Sequence, residues 1–175
     1  LTRYTLSPEV DFLLSPRTGF TATYTYGKYL RDETRVFASD GRVAPQAPWR
    51  EWNQEAKLTG RHSFLAFGRE HPLQGGYEFR DEKLQRGTLS ATGENCSTTS
   101  TTPASSECSR TINVLWGQQE MSVTSRLKVT AAVRYDDYSD FGSTVNPKVS
   151  LRWTPVRELL VRGSWGTGFV APTLS

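Results

Sequence analysis

Apolar and polar residues alternate along much of the chain. The clearest stretch runs from Leu127 to Tyr135, where every second residue is apolar and most residues between them are polar. A period of two is typical of a β-strand with one face in an apolar phase and the other in water. The same alternation recurs over residues 4–12, 20–26, 73–79 and 145–153.

Less regular alternation over residues 52–68 and 112–123, and after residue 158, predicts further strands. Together the segments give about eight strands of roughly ten residues, which is the length a tilted strand needs to cross a bilayer. The pattern therefore predicts an all-β fold, an antiparallel meander of about eight membrane-spanning strands. A soluble sandwich is the alternative on pattern alone.

The predicted connections alternate between short and long. Short turns are expected at residues 15–19, 69–72, 124–126 and 155–158, long connections at 31–50 and 85–111, and one of intermediate length at 139–143. This alternation places all the short turns at one end of the sheet, as in outer-membrane barrels. Most Tyr and Trp residues fall near the long connections, as expected for rings at a membrane–water interface.

Composition limits the remaining classes of protein. The chain has 175 residues, 36% of them hydrophobic, and a mean hydropathy of −0.53. It contains no apolar run as long as the roughly 18 residues of a membrane helix. The net charge of +3 is spread along the chain, which argues against a nucleic-acid partner because such proteins cluster their basic residues.

Two cysteines bracket a polar tract. Eight of the ten residues from Ser97 to Ser106 are Ser or Thr, and Cys96 and Cys108 flank them. Such a tract cannot bury a core, so residues 85–111 are predicted to form an extracellular Ser/Thr-rich loop. A disulfide between Cys96 and Cys108 is expected in an oxidising compartment. Zinc ligation is the alternative, although His62 and His71 are not near the cysteines in sequence.

Catalytic signals are absent from the sequence. His62 and His71 are the only histidines, and no Gly-x-Ser-x-Gly or His-Glu-x-x-His motif is present. Asp136, Asp137 and Asp140 lack the spacing of a calcium-binding loop. The expectation is a protein that is not an enzyme and has no cofactor or metal site.

The C-terminal third carries a family resemblance. Its motifs are RYDDYSDFGS at 134–143, NPK at 146–148, LRWTP at 151–155 and RGSWGTGFVAP at 162–172, with a weaker echo, GGYEFR, at 75–80. This run resembles the barrel of TonB-dependent outer-membrane receptors, which import ferric siderophores and vitamin B12. The family usually has Arg or Lys where this chain has Val170. A local irregularity of the strand is expected at Pro147, which falls on the outward face.

The resemblance implies a plug domain inside a barrel of about 22 strands. Residues 1–175 would then be a segment of a larger transmembrane β-barrel, a partial barrel whose plug and remaining strands are absent. Both ends are also expected to be cuts through a longer chain. Such a segment could not transport anything by itself. The implied partners are outer-membrane lipid, a ferric siderophore or similar ligand, and the TonB complex through the missing plug region. The implied location is the outer membrane of a Gram-negative bacterium.

Two sets of residues are candidate ligand contacts. Basic side chains on the expected lumen face would attract an anionic ligand: Arg134, Lys148, Arg152 and Arg162. The alternative for these four is a hydrated interior, or pairing with acidic groups of the plug. The loop at 32–50 offers aromatic and Arg residues suited to ligand capture: Arg35, Phe37, Arg42 and Trp49. The alternative there is a solvated loop with its rings on the membrane surface.

The leading hypothesis is thus a TonB-energised receptor segment for uptake of a ferric siderophore or a similar scarce nutrient, with cobalamin as another cargo. Two alternatives remain open. One is a small closed eight-stranded outer-membrane barrel with a structural or adhesion role. The other is a soluble lipocalin-like or sandwich binding module.

Overall fold

The computed structural model describes residues 2–46, 49–86, 96–99 and 105–169. These ranges contain β-strands and connecting segments. The strands are β1 (Thr2–Leu6), β2 (Glu9–Ser15), β3 (Thr18–Arg31), β4 (Thr34–Val36), β5 (Val43–Pro45), β6 (Trp49–Ala66), β7 (Arg69–Arg86), β8 (Cys96–Thr99), β9 (Ser105–Ser122), β10 (Leu127–Tyr138), β11 (Gly142–Val156) and β12 (Leu159–Gly166). In these ranges we find no helix long and apolar enough to cross a membrane.

One large antiparallel sheet dominates the fold. Its strand order is β1-β3-β6-β7-β9-β10-β11-β12, and β2 also pairs with β3. β1 and β2 act as a single strand, because Leu6 pairs with Tyr26 and Glu9 with Thr23 in one unbroken register. The sheet thus has eight strand positions in a meander, which confirms the predicted fold class.

The two edges of this sheet do not meet. β1 and β2 lie at one edge and β12 lies at the other, so the described strands form an open sheet and not a closed eight-stranded barrel. The remaining sheet is the small β4–β5 hairpin, so the described strands do not form two packed sandwich layers either. The small closed eight-stranded barrel and the soluble lipocalin-like or sandwich module, which were the two alternatives, are therefore wrong for this architecture.

The sheet has one apolar and one polar face. Residues paired directly across an antiparallel ladder point to the same side. Val133 pairs with Pro147 and Gly117, and Arg134 pairs with Asn146 and Trp116. We define the apolar face as the side of Val133 and the polar face as the side of Arg134, and the same sorting continues along the other ladders.

Large side chains on the apolar face remain uncovered by protein. Leu115 is 61% exposed, Val145 57% and Val133 50%. A soluble monomer rarely exposes a contiguous apolar surface of this kind. The sheet therefore presents a wall suited to contact with lipid.

Three central strands are longer than the alternation predicts. β6, β7 and β9 each have 18 residues, whereas a membrane-spanning strand needs about 9–11. β6 begins at Trp49, β7 ends at Arg86 and β9 begins at Ser105, so the additional residues extend the sheet at its long-loop end. The predicted long connections at 31–50 and 85–111 are thus partly strand.

The turn predicted at residues 69–72 lies elsewhere. Phe67 and Gly68 connect β6 to β7 with φ angles of 53° and 70°, the geometry of a two-residue hairpin turn with two positive φ angles. Arg69 already pairs with Ala66, so residues 69–72 belong to β7. Phe67 concealed the turn because a bulky residue rarely adopts positive φ.

Pro147 lies in a regular part of β11, contrary to the expected irregularity. The pairing of β10 with β11 is unbroken, and the shift in register lies between Trp153 and Val156. The carbonyl of Pro147 accepts a hydrogen bond from the Thr167 amide at 3.1 Å. Since the nitrogen and carbonyl of a strand residue face the same neighbour, the missing N–H of Pro147 faces the end of β12 and removes nothing from the β10 ladder.

Candidate functional site: the polar face

Six charged side chains converge near the centre of the polar face. We call them the Glu78 network: Glu55, Lys57, Glu78, Arg80, Arg134 and Asp136. Glu78 lies at its centre and is only 4% exposed. Its carboxylate is 3.3 Å from Lys57 Nζ, 3.1 Å from Arg80 Nη2 and 3.6 Å from Arg134 Nη2.

The outer members of the network complete its charge balance. Arg80 Nε is 3.1 Å from Glu55 Oε2, and Arg134 Nη2 is 2.9 Å from Asp136 Oδ1. Three carboxylates thus meet three cations. Such a cluster holds neighbouring strands in register and has little net charge to offer to a ligand.

One small apolar residue on β9 allows this convergence. Val114 lies between Glu78 on β7 and Asp136 on β10 in the cross-strand register, and Val114 is 0% exposed. Its short side chain lets the long side chain of Arg134 reach over β9 to Glu78. The ligand role of Arg134 stays a prediction, with much of its charge already balanced by Glu78 and Asp136.

The other three predicted lumen cations have a different environment. Arg152 lies directly opposite Arg162 and also opposite Lys128, in one row near the short-turn end. Lys128 is 2.5 Å from Glu120, but within the described residues neither Arg152, Arg162 nor Lys148 has a carboxylate within ion-pair distance. Like charges placed directly opposite repel each other, so this row favours an external anion.

Lys148 lies apart from that row. It is four residues from Arg152 along β11, a separation of roughly 13 Å in an extended strand. The Arg152–Arg162 row borders an open depression of about 440 Å³. The predicted set of four therefore divides into one networked arginine, one isolated lysine and one arginine pair.

Trp116 packs against a glycine on the polar face. A Cβ atom added at Gly76 would lie 3.0 Å from Trp116 Nε1 and 2.5 Å from the backbone oxygen of Leu58. A glycine is therefore required at position 76, because the Leu58 carbonyl and the Trp116 indole leave no room for a side chain.

Sequence reasoning missed an aromatic cluster at the long-loop end. The rings of Tyr138 and Phe141 are stacked at 4.5 Å, and Phe169 lies 5.9 Å from Tyr138 and 5.7 Å from Phe141. Arg110 lies over the Phe141 ring at 4.8 Å and pairs with Asp140 at 2.7 Å. The cluster joins the β10–β11 hairpin to β9 and to the segment after β12, a junction that no local pattern indicates.

The three aspartates of the segment 136–140 lie in three different environments. Asp136 lies on the polar face in the Glu78 network, Asp137 lies on the apolar face, and Asp140 pairs with Arg110. The described residues contain no group of three or more His, Cys, Asp or Glu side chains placed to hold a metal ion.

The predicted capture loop contains the β4–β5 hairpin. Phe37 lies between two guanidinium groups, with Arg42 4.6 Å and Arg35 5.2 Å from its ring centroid. Trp49 lies outside this group. It begins β6, and its ring contacts Arg86 at 4.3 Å and packs against buried Leu84. The capture role stays a prediction, and the geometry brings together three of its four residues.

Cys96 lies directly opposite Cys108 in the β8–β9 ladder. Directly opposed residues in an antiparallel pair have Cα atoms about 4.5–5.5 Å apart, which lies within the span of a disulfide. Cys108 is 1% exposed. The extracellular loop predicted at 85–111 thus includes β8 and the ends of β7 and β9, while its residues 87–95 and 100–104 lie outside the described residues.

We expect the disulfide to protect both thiols from alkylation. In the folded protein, a maleimide reagent should modify neither cysteine until a reductant is added, and then both. Loss of the bridge in a Cys96→Ser/Cys108→Ser variant should cost about 3 kcal/mol by the loop-entropy estimate and speed proteolysis of the loop. Modification of two thiols without reductant would contradict the disulfide.

Known proteins resemble this chain in sequence pattern and fold. The family model for TonB dependent receptor-like β-barrels matches residues 2–175. The chain belongs to this family. TonB-dependent receptors are outer-membrane receptors and transporters and are not enzymes. Because their barrels span the outer membrane, the apolar face is the lipid-facing side and the polar face lines the barrel lumen. No curated protein sequence matches the chain.

Solved structures of TonB-dependent receptors share the fold. The siderophore receptor PirA from Acinetobacter baumannii has a TM-score of 0.67 and 17% identity over 97% of this chain and 25% of its own length. A mutant of the ferric enterobactin receptor PfeA from Pseudomonas aeruginosa has a TM-score of 0.70 and 17% identity, over 98% and 26%. The chain therefore spans about a quarter of the length of these receptors.

Proposed function

We propose that this chain forms part of the barrel wall of an outer-membrane receptor that takes up a ferric siderophore with energy from the TonB complex. Its membership of the TonB-dependent receptor family supports a receptor role. The similar folds of PirA and PfeA, which are siderophore receptors, favour this ligand class. The TonB complex would act on a plug domain, as the family resemblance implies.

The observation that carries the proposal is the Arg152–Arg162 row. Arg152 and Arg162 lie directly opposite each other on the lumen side, and neither has a carboxylate partner among the described residues. Ferric siderophores are commonly anionic chelates, and a lumen with uncompensated positive charge attracts an anion and raises its local concentration. Acidic groups of a plug domain are the competing occupant of the same row.

The positions of the candidate residues suggest an order of contacts. Arg35, Phe37 and Arg42 lie at the long-loop end, where a ligand arrives from outside. The Arg152–Arg162 row lies near the short-turn end, where a ligand would leave for the periplasm. The hairpin would therefore act in capture, and the arginine row in a later step of translocation.

The test is uptake by the whole receptor in an iron-limited strain. An Arg152→Gln/Arg162→Gln variant should capture the ferric siderophore at the cell surface as wild type does, but its maximal rate of uptake should fall roughly tenfold as the electrostatic attraction is lost. An Arg61→Gln variant removes one charge from the polar face near the same end and should transport normally. Wild-type uptake by the double variant would overturn the role of the row.

Cargo identity needs a separate measurement. Deletion of the receptor should abolish uptake of one or more labelled ferric siderophores and leave cobalamin uptake unchanged. Loss of cobalamin uptake alone would overturn the siderophore assignment and leave the receptor family intact.

A further inference from the structure

Basic residues also flank a tryptophan on the lipid-facing side. Trp52 on β6 lies directly between Lys28 on β3 and Lys83 on β7 in the cross-strand register. Lys28 Nζ is 5.8 Å from the centroid of the Trp52 ring. Arg50 lies two residues further toward the long-loop end on the same face of β6. We call these four residues the Lys28–Lys83 row.

The row lies just beyond the apolar band of the wall. Moving toward the short-turn end, the next row contains Tyr26, Gln54 and Asp81, and the one after it contains Tyr24, Ala56 and Phe79. Each step of two residues is roughly 6.7 Å along a strand. Tyrosine and tryptophan favour the membrane–water interface, so the lysines lie at the depth of lipid headgroups.

Charge at this level is sorted between the two faces. The lipid-facing side carries Lys28, Lys83 and Arg50, while the lumen side of the same strands carries Glu51 and Glu82. One carboxylate lies near the row, because Asp81 Oδ2 is 3.9 Å from Lys83 Nζ. Among the described residues, Lys28 and Arg50 have no carboxylate within ion-pair distance.

The spacing of the lysines suits one phosphate group. Lys28 and Lys83 are two strands apart, which places their backbones roughly 10 Å from each other. Both side chains are flexible and long enough to converge above the indole of Trp52. Cations at headgroup depth attract anionic lipid, and each contributes strongly because the phosphate lies within a Debye length.

We propose that the Lys28–Lys83 row binds the phosphate of a phosphorylated lipid in the membrane leaflet on the long-loop side. The lysines contact the phosphate, Arg50 adds charge from the water side, and Trp52 packs against the uncharged part of the headgroup. The lipid is favoured over free phosphate because the row faces the bilayer, two rows above an apolar band that holds the acyl chains. The site is separate from the lumen and from the transported cargo.

Native mass spectrometry of the whole receptor tests this site. The purified receptor is mixed in detergent with diphosphoryl lipid A, or with the same lipid after removal of its phosphates. Wild type should retain the phosphorylated lipid preferentially. A Lys28→Gln/Lys83→Gln variant should retain it roughly 10- to 30-fold less, since each lysine near an anionic lipid contributes about a factor of five.

Two further variants control for folding and for net charge. Lys28→Arg/Lys83→Arg keeps the charge and should retain the lipid. Arg61→Gln removes positive charge from the lumen side and should retain the lipid as wild type does. The proposal is overturned if the glutamine variant of the row retains the lipid fully, if the dephosphorylated lipid binds equally well, or if excess inorganic phosphate displaces the lipid.

Discussion

A Gly76→Ala substitution should prevent normal assembly of the receptor barrel. The new methyl group would lie 2.5 Å from the backbone oxygen of Leu58 and 3.0 Å from Trp116 Nε1. Because a backbone carbonyl cannot rotate away, the β6–β7 ladder must shift or the indole must leave its place. We expect a loss of about 2–3 kcal/mol, typical of an overpacked site. The measurement is the yield of folded receptor in the outer membrane, detected by heat-modifiable gel mobility.

Gly163 provides the matched control on β12. A Cβ atom added there meets nothing within 4 Å, so Gly163→Ala should assemble as wild type or slightly better, because alanine reduces the entropy of the unfolded chain. Equal yields for the two alanine variants would show that Trp116 does not pack against Gly76 as described.

A Glu78→Gln substitution should destabilise the folded barrel by about 3 kcal/mol. The amide keeps the size of the side chain but removes the negative charge that Lys57, Arg80 and Arg134 share. Three cations would then lie close together around a buried neutral group. The expected result is a lower denaturant midpoint for the purified receptor in detergent, with an unchanged m-value.

Glu120→Gln is the control for a general effect of removing a glutamate. Glu120 pairs with Lys128 at 2.5 Å, but the two side chains are 34% and 45% exposed. Ion pairs with this much exposure contribute about 0–1 kcal/mol. If Glu78→Gln and Glu120→Gln lowered the free energy of unfolding equally, the Glu78 network would not stabilise the barrel as its geometry indicates.

The sequence predicted the strands of the C-terminal half well, and the reason is physical. β10 and β11 lie mostly within the bilayer, where one face meets lipid and the other meets the lumen. Every second residue is then under the same constraint, so the alternation from Leu127 to Tyr135 and over residues 145–153 is regular. The number of strand positions and the lipid-facing side follow directly from it.

β6, β7 and β9 were harder to predict because their upper parts leave the bilayer. There the outer face meets lipid headgroups or water, and polar residues such as Gln54, Asp81 and Lys83 occupy the side that is apolar lower down. The alternation fades before the strand ends. As a result, the predicted strands stopped near residues 52, 79 and 112, although the pairing continues to Trp49, Arg86 and Ser105.

Only part of the candidate site was visible in the sequence. The basic residues of β10–β12 lie on adjacent strands, so alternation alone grouped Arg152 with Arg162. Glu78 comes from β7, more than 50 residues before Arg134, and their approach depends on the register of two intervening ladders. Counting charges along the last strands therefore overstated the free positive charge near Arg134.

The three 18-residue strands also separate the loops from the bilayer. Their ladders continue beyond the bilayer. Paired strand residues therefore lie between the extracellular hairpins and the membrane surface. Residues 37–42, for example, lie between β4 and β5, in the connection that leaves the β3–β6 ladder at Arg31 and rejoins it at Trp49. Changes in the length or sequence of that connection can therefore leave the residue pattern of the membrane-spanning strands unchanged.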